Sequence, residues 1–349
     1  MSRSRVVLLI VLAGCASAAT AVDVSSRADR HERHGEFEAA RTVLTGGLDQ
    51  ARATGDHRKQ VRLTAELARV WSHEVFARNR GYEDGLASAR AAQAAARAGS
   101  DPRALAIALD AEGMLHYGRL VWAGAADFSR PRAVFAQAIA AFDEANDRSG
   151  AAEATFHLGL SYEQAGDKVS AAQQYERAQS LATGAGNDVV VSYTARHLAG
   201  LAEERGDLTA ARRGFQRSLE LRERAGYERL IPYALMAVAA LDVREGQSER
   251  ALAAARRALA MAERIGNEAM LLWAHVAVAE AVPRSAATKR QHHLETALAI
   301  AEQASIPIAI AATARATADV VESRDPGRAA QLRARAEQAE RAGRAVTLK

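Results

Sequence analysis

Apolar and small residues recur at helical spacing along most of the chain, in segments of about 18 residues that glycine–polar pairs separate. The pairs form two series of period 40 that alternate every 20 residues: Gly166-Asp167, Gly206-Asp207 and Gly246-Gln247, then Gly186-Asn187, Gly226-Tyr227 and Gly266-Asn267. Glycine just past a helix end supplies a left-handed cap, and an adjacent aspartate can cap the next helix. The pattern predicts a repeated unit of helix, tight turn, helix and turn.

A fixed period of this size predicts a solenoid, because a single helical hairpin cannot bury its own apolar face. Composition supports helices, since alanine is abundant while aromatic residues make up only 5% of the chain and prolines number six. The hydrophobic fraction of 49% and the charged fraction of 25% are ordinary. They exclude a disordered chain, a collagen and a multi-span membrane protein.

The residues inside the units carry a resemblance to a known repeat. The fourth unit has Leu158-Gly159, Tyr162, Gly166, Ala171, Tyr175 and Ala178, the fifth keeps Leu198, Gly206, Ala211 and Phe215, and the sixth keeps Gly246, Ala251 and Ala258. This spacing resembles the tetratricopeptide repeat, with a longer period than the usual 34 residues. The resemblance implies an all-α fold, a right-handed α-solenoid of about seven to eight tandem helix-turn-helix hairpins.

We expect a single solenoid domain over residues 27–349, because no linker divides it. The clearest repeats are 147–186, 187–226, 227–266 and 267–304. One irregular segment, from Leu120 to Pro131, replaces a short turn of the third unit and contains Trp122 and Phe128. It is either a projecting functional loop or a longer helix followed by a capped turn with Trp122 packed beneath it; the second alternative is favoured.

The N-terminus has the pattern of an export signal. Arg3 and Arg5 precede an apolar run from Val6 to Leu12, which is too short to span a bilayer. The run ends in Leu12-Ala13-Gly14-Cys15, which resembles the bacterial lipobox. That resemblance implies removal of residues 1–14 as a signal peptide and lipidation of the Cys15 thiol. Cleavage by the ordinary signal peptidase, near Ala16-Ser17-Ala18, is the alternative.

The lipobox sets an expected location. Residues 15–26 are small and polar and are expected to form a flexible tether. Lipidation would anchor the protein in the membrane through its N-terminus. The protein is then expected to be exported and attached to the cell envelope, at the outer membrane of a two-membraned cell or otherwise at the outer face of the plasma membrane.

Charge and motifs favour a binding protein over an enzyme. Lysine and arginine total 46 against 42 acidic residues, and the two signs alternate along the helices, so no nucleic-acid partner is expected. The histidine pairs His31/His34 and His292/His293 lack the three or four converging ligands of a zinc site. No catalytic arrangement is recognised. We therefore predict no enzyme activity, no metal and no cofactor.

The best candidate site is a column of aromatic residues. Tyr193, Tyr233 and Trp273 are 40 residues apart, at a position that faces the concave groove in tetratricopeptide proteins. The remaining residues expected on that face are Phe156, Arg196 and Met236. Aromatic residues flanked by arginine and methionine are typical of an interface core, although packing within the hairpins is an equal alternative.

These observations lead to a functional hypothesis. We expect a lipid-anchored scaffold that binds a protein or peptide in its groove, for example in cell-envelope assembly. Arg196 favours an acidic or C-terminal segment as the ligand. The alternative is a cytoplasmic regulatory or sensory repeat array.

Overall fold

The structure, a computed structural model, describes residues 24–346 and Leu348. The described part contains 16 α-helices, one 3-10 turn and no strand. The helices are α1 (24–34), α2 (Phe37–Ala53), α3 (His57–Arg78), α4 (Tyr82–Ala98), α5 (Pro102–Ala123), α6 (Ser129–Glu144), α7 (Arg148–Gln164), α8 (Lys168–Ala185), α9 (Asp188–Glu204), α10 (Leu208–Arg224), α11 (Ile231–Arg244), α12 (Ser248–Ile265), α13 (Glu268–Ala281), α14 (Ala287–Gln303), α15 (Pro307–Val321) and α16 (Pro326–Arg344). The 3-10 turn spans Glu228–Leu230. The predicted signal peptide and Cys15 lie outside the described residues.

Consecutive helices pair into eight hairpins, numbered 1 (α1/α2) to 8 (α15/α16), and the repeat prediction is confirmed. Gly166 and Gly206 adopt left-handed backbone at φ 83° and 84°. The next residue then starts helix B: the Asp167 carboxylate accepts a hydrogen bond from the backbone N–H of Ser170, and Asp207 does the same for Ala210. Such a cap contributes about 1 kcal/mol to helix stability. The glycine–aspartate pair therefore fixes both the turn and the start of the following helix.

Small residues allow the two helices of each hairpin to approach closely. Ala171, Ala211 and Ala251 occupy one repeated position and have no exposed surface. In hairpin 4, Gly159 lies against the ring of Tyr175, and a Cβ placed on this glycine would be 2.6 Å from the tyrosine Cε1. The large ring and the missing side chain are therefore complementary, as the sequence pattern predicts.

The solenoid is right-handed and closes on itself, so that early hairpins contact late ones. The first helix of each hairpin lines the inner face. Across this face α3 contacts α13 and α5 contacts α15, and α5 also contacts α16, the second helix of hairpin 8. Hairpin 2 therefore meets hairpin 7, and hairpin 3 meets hairpin 8. The inner face is enclosed by this contact, which we call the seam.

Two boundaries differ from expectation. Residues 24–26, expected in the tether, are already helical, because Val24 packs into a cluster with Phe37 and Leu44 of α2. In hairpin 3, α5 continues to Ala123 and Gly124 ends it with φ 73°. Trp122 is 6% exposed and donates a hydrogen bond from Nε1 to the carbonyl of Phe76 at 2.9 Å. The segment is the longer helix and packed turn; the projecting-loop alternative is wrong.

Ion pairs between successive hairpins cover the outer surface. Arg257 of α12 contacts Glu223 of α10 at 2.5 Å, and Arg328 of α16 contacts Glu295 of α14 at 2.6 Å. Exposed pairs of this kind contribute about 0–1 kcal/mol each to the free energy of unfolding, so they add little to stability and mainly keep the surface soluble. Among the helices described, none has the length and apolar character needed to cross a membrane.

Candidate functional site: buried arginines on the inner face

One charged residue occupies a core position of the repeat. The second helices of hairpins 4, 5 and 6 bury the same four positions, at 171/175/178/182, 211/215/218/222 and 251/255/258/262. The last position is alanine at Ala182 and Ala262 but arginine at Arg222, whose exposure is 4%. Burying an unpaired charge is costly, so a cation at a core position marks a site where the repeat has been modified.

Neutral acceptors surround the Arg222 guanidinium. Its Nη1 donates to the carbonyl of Leu230 at 2.7 Å and its Nε donates to Ser192 Oγ at 3.3 Å. The group also lies over the ring of Tyr193, 5.7 Å from the centroid. No carboxylate of the described chain lies within ion-pair distance of Arg222. Burial and the neighbouring Arg196 lower the pKa of Arg222 to about 9.

The acceptor for Arg222 exists because the next hairpin starts irregularly. Asn187 and Asn267 cap helices α9 and α13 with their side chains, but Tyr227 stands at the equivalent position. Without that cap, hairpin 6 begins with a 3-10 turn, whose last carbonyl, that of Leu230, faces Arg222. Tyr227 is buried, and its hydroxyl accepts a hydrogen bond from Arg229 Nη2 at 3.0 Å.

Part of the predicted column lies in this region. The ring of Phe156 is 5.1 Å from that of Tyr193, and both are buried. Arg196 and Tyr233 are half-buried. Arg196 donates from Nη1 to His197 Nε2 at 3.2 Å, whereas its buried Nε has no hydrogen-bond partner in the described structure. We call the set Phe156, Tyr193, Arg196, Arg222 and Tyr233 the arginine–tyrosine site.

Of the other two predicted residues, Met236 packs in one cluster with Tyr233, and Trp273 lies apart from the site. Met236 packs between α11, α12 and α13, beside Met270 and Ala258. Trp273 packs against the cluster that holds Trp122 and Ile310 at the seam. Both are half-buried. The column is therefore split between two surroundings, and the partner-binding role of all six residues stays a prediction.

Two histidines 40 residues apart, His157 and His197, each contact a carboxylate. His197 contacts Glu163 at 2.8 Å, and the Tyr175 hydroxyl donates to the same carboxylate. Burial opposes ionisation of Glu163, but His197 and Tyr175 outweigh it, so its pKa falls to about 2. His157 contacts Asp110 at 2.9 Å.

The two histidine pairs weighed as metal ligands are separated by their contacts. His31 contacts Glu36 at 2.6 Å and His34 contacts Glu228 at 3.5 Å. His293 contacts His275 at 2.9 Å, while His292 is exposed. Within residues 24–346, no group of three or more suitable side chains is placed to hold a metal ion.

A second buried cluster joins hairpins 1 and 2 to the 3-10 turn that begins hairpin 6, and it was not predicted. Glu32 of α1 has no exposed surface; it contacts His73 Nδ1 at 2.5 Å, Arg69 at 3.3 Å and Arg229 at 3.5 Å. The contact with Arg229 bridges almost 200 residues, so no local spacing indicates it. Arg222 could have been found, because the 40-residue register aligns it with two buried alanines.

Comparisons with known proteins identify the fold alone. No protein-family profile matches the chain, and a search of curated proteins finds no match either. Among solved structures, a Rap protein complexed with Competence and Sporulation Factor has a TM-score of 0.63 and 12% identity, with 88% of this chain and 85% of that chain covered. The Rap conjugation gene regulator in complex with the Phr* peptide has 0.59 and 15%, with coverage of 84% and 79%. Aspartyl phosphate phosphatase F from Bacillus subtilis has a TM-score of 0.59 and 14% identity, with 85% of this chain and 76% of that chain covered. The chain has a tetratricopeptide-type fold.

Proposed function

We propose that this protein is a peptide-binding tetratricopeptide-type scaffold whose ligand is anchored by a carboxylate at the arginine–tyrosine site. The observation that carries the proposal is Arg222, a buried arginine with neutral partners at a position where the neighbouring hairpins have alanine. Arg196 beside it has an unused buried donor. Two cations that lack a bound carboxylate, next to aromatic rings, favour an anionic group from outside.

Similar solved structures support a peptide as the ligand class. Two Rap structures contain a bound partner, which is Competence and Sporulation Factor in one and the Phr* peptide in the other. A carboxylate on such a ligand is either an acidic side chain or the free C-terminus. Both present the planar pair of oxygens that a guanidinium binds through two parallel hydrogen bonds.

A substitution series at Arg196 tests this chemistry. We would measure fluorescence anisotropy with a labelled random heptapeptide pool that has a free C-terminus, with the same pool amidated, and with an amidated pool enriched in Asp and Glu. Losing one charge-assisted bond weakens binding by roughly tenfold to hundredfold. Arg196→Gln should show this loss and Arg196→Glu a larger one. Arg205→Gln, at an exposed arginine of the same hairpin, is the matched control.

The three pools separate the possible ligands. Preference for the free over the plain amidated pool indicates a C-terminal carboxylate, and preference for the acidic amidated pool indicates acidic side chains. Equal binding of all pools by the wild-type protein and the Arg196 variants would refute carboxylate recognition.

Anchoring by lipid at Cys15 is the second part of the proposal. It is supported by the Leu12-Ala13-Gly14-Cys15 pattern, which follows a short apolar run and two arginines. Cys15→Ser should abolish incorporation of a fatty-acid analogue, because a hydroxyl cannot form the thioether. Equal labelling of the wild type and the variant would exclude the lipobox.

The alternative is a cytoplasmic regulatory array that binds a signalling peptide. The fold similarity to Rap proteins, among them a conjugation gene regulator, favours this class. Both alternatives use the same binding site and differ in location. Fractionation of the native protein distinguishes them: recovery with membranes after a salt wash supports the lipid anchor, and recovery in the cytosol supports the regulator.

A further inference from the structure

The seam that encloses the inner face has two chemically different parts. Its polar part joins hairpins 1 and 2 to hairpins 5–7 through the contacts Arg33–Ala225, Glu32–Arg229, His34–Glu228, Arg80–Glu268 and Asn79 with the carbonyls of Ala304 and Ser305. Its apolar part joins hairpin 3 to hairpin 8. There Trp122 packs in one cluster with Ile310 and Ala336.

The apolar part is tightly packed. A Cβ on Gly343 of α16 would lie 1.9 Å from the carbonyl oxygen of Ala123, so only glycine fits this contact. Ile308 of α15 packs against Gly124 in ordinary van der Waals contact, with side-chain atoms 3.6 to 3.8 Å from a Cβ built there. Buried apolar surface and close packing make this part the more stable one. The polar part relies on long side chains and is the easier to open.

Glu32 is the central carboxylate of the polar part. Burial would raise the pKa of its carboxyl, but Arg69, His73 and Arg229 outweigh burial and hold the pKa well below its usual range. The Glu32 side chain is thus a charged group held by cations from α3 and from the turn that also presents Leu230 to Arg222.

The fit between Glu32 and these cations is incomplete. Arg229 Nη2 approaches Glu32 Oε1 only to 3.5 Å and the Arg229 Nε has no hydrogen-bond partner in the described chain, whereas Glu32 Oε2 pairs with Arg69 at 3.3 Å. Arg229 also adjoins the arginine–tyrosine site, because its Nη2 donates to the Tyr227 hydroxyl at 3.0 Å and Tyr227 packs in one cluster with Tyr193 and Phe156. The internal carboxylate therefore adjoins the site proposed for the ligand and is held by an arginine with an unused donor.

We propose that Arg229, which adjoins the arginine–tyrosine site, also binds the ligand carboxylate and that Glu32 is an internal competitor for it, so that α1 closes the polar part of the seam until a peptide carboxylate displaces Glu32 from Arg229. The apolar part stays closed and acts as the hinge. The identity of the ligand rests on the proposed function, whereas the opening of the seam does not.

Glu32→Gln in the full chain tests the competitor, with Glu38→Gln as the matched control, because Glu38 is an exposed carboxylate in the first turn of α2. Hydrogen exchange should become about tenfold faster or more in residues 24–34 and 225–231 of Glu32→Gln, while residues 308–321 keep their protection. The free-carboxylate heptapeptide pool should bind Glu32→Gln about tenfold more tightly than wild type, because the competing closed state is lost.

Arg33→Ala covers the case in which Glu32→Gln fails to fold. It removes the bond to the Ala225 carbonyl at 3.2 Å from a half-exposed side chain and leaves the buried cluster in place. It should also speed exchange in residues 24–34 and 225–231. Circular dichroism should show unchanged helix content in both variants.

The outcomes separate the two proposals. Unchanged exchange in Glu32→Gln and Arg33→Ala overturns the competitor, and so does equal affinity of wild type and Glu32→Gln for the free pool. Faster exchange without binding of any pool, free or amidated, overturns the proposed function and supports the opening of the seam. If Glu32→Gln binds the free pool more tightly than wild type does, but binds the amidated pools no more tightly, both the competitor and the proposed function are supported.

Discussion

The interiors of the regular hairpins and the inner face of the solenoid are built from opposite chemistry. Hairpins 4 and 6 bury alanines such as Ala171, Ala178, Ala251 and Ala258 with no exposed surface and no polar partner. The inner face instead buries Arg222 and Glu32, each with several polar contacts. The interiors are optimised for close packing, whereas the inner face retains charges that packing alone does not require. Function is therefore expected on the inner face.

The largest effect should come from truncating an aromatic residue in a hairpin interior. Tyr175→Ala should cost about 3–5 kcal/mol of unfolding free energy, because Tyr175 is fully buried and fills the space beside Gly159. Tyr233→Ala, on the inner face and half-buried, should cost only about 1–2 kcal/mol while it weakens peptide binding. Urea denaturation of both variants measures the contrast. Equal losses would mean that Tyr233 serves the core as much as Tyr175 does.

A smaller effect should follow from overpacking. Ala211→Trp should cost about 1–3 kcal/mol, because Ala211 has no exposed surface and lies in a cluster with Ala199 and Phe215. The loss should centre on residues 187–226, since a repeat is coupled mainly to its neighbours. Ala253→Trp, at an exposed position of α12, is the control and should be close to neutral. Uniform loss of hydrogen-exchange protection along the whole chain would argue against repeat-by-repeat coupling.

The smallest effect concerns hairpin 7, where a histidine pair stands between helices α13 and α14. Burial and the neighbouring His293 lower the pKa of His275 to about 4. The unfolded chain therefore binds more protons than the folded one between pH 6.5 and 4, and stability should fall as the pH falls through that window. His275→Gln should reduce this slope, and His57→Gln, at an exposed histidine, should leave it unchanged. Thermal melts at pH 7, 5.5 and 4 measure the slope; an identical slope in His275→Gln and wild type would exclude the pair as its cause.

Sequence predicts the hairpins because their determinants are local. Gly166, Asp167 and Ala171 fix a cap, a helix start and a close helix contact within a few residues, and the same pattern returns 40 residues later. Their spacing alone therefore leads to the observed helices. Departures from the repeat are also visible in the sequence, since Arg222 stands at the position that alanine occupies in the neighbouring hairpins, at Ala182 and Ala262.

The inner face is only partly predictable, because it depends on closure of the whole solenoid. The helical register placed Phe156, Tyr193, Arg196 and Tyr233 on one face, and they do lie together. It could not show that Trp273 packs at the seam, nor that Glu32 meets Arg229. Those contacts arise from superhelical curvature, which accumulates over several hairpins and has no signature in any single one.

The most direct test of the central claim is the location of a bound peptide. Photo-crosslinking of the free-carboxylate heptapeptide pool, followed by mass spectrometry, would map the contact residues on the full chain. We expect crosslinks on α9, α11, the last turn of α10 around Arg222 and the 225–231 turn, reduced in Arg196→Gln and retained in Arg205→Gln. Crosslinks confined to the second helices α8 and α12, or unaffected by Arg196→Gln, would contradict binding on the inner face.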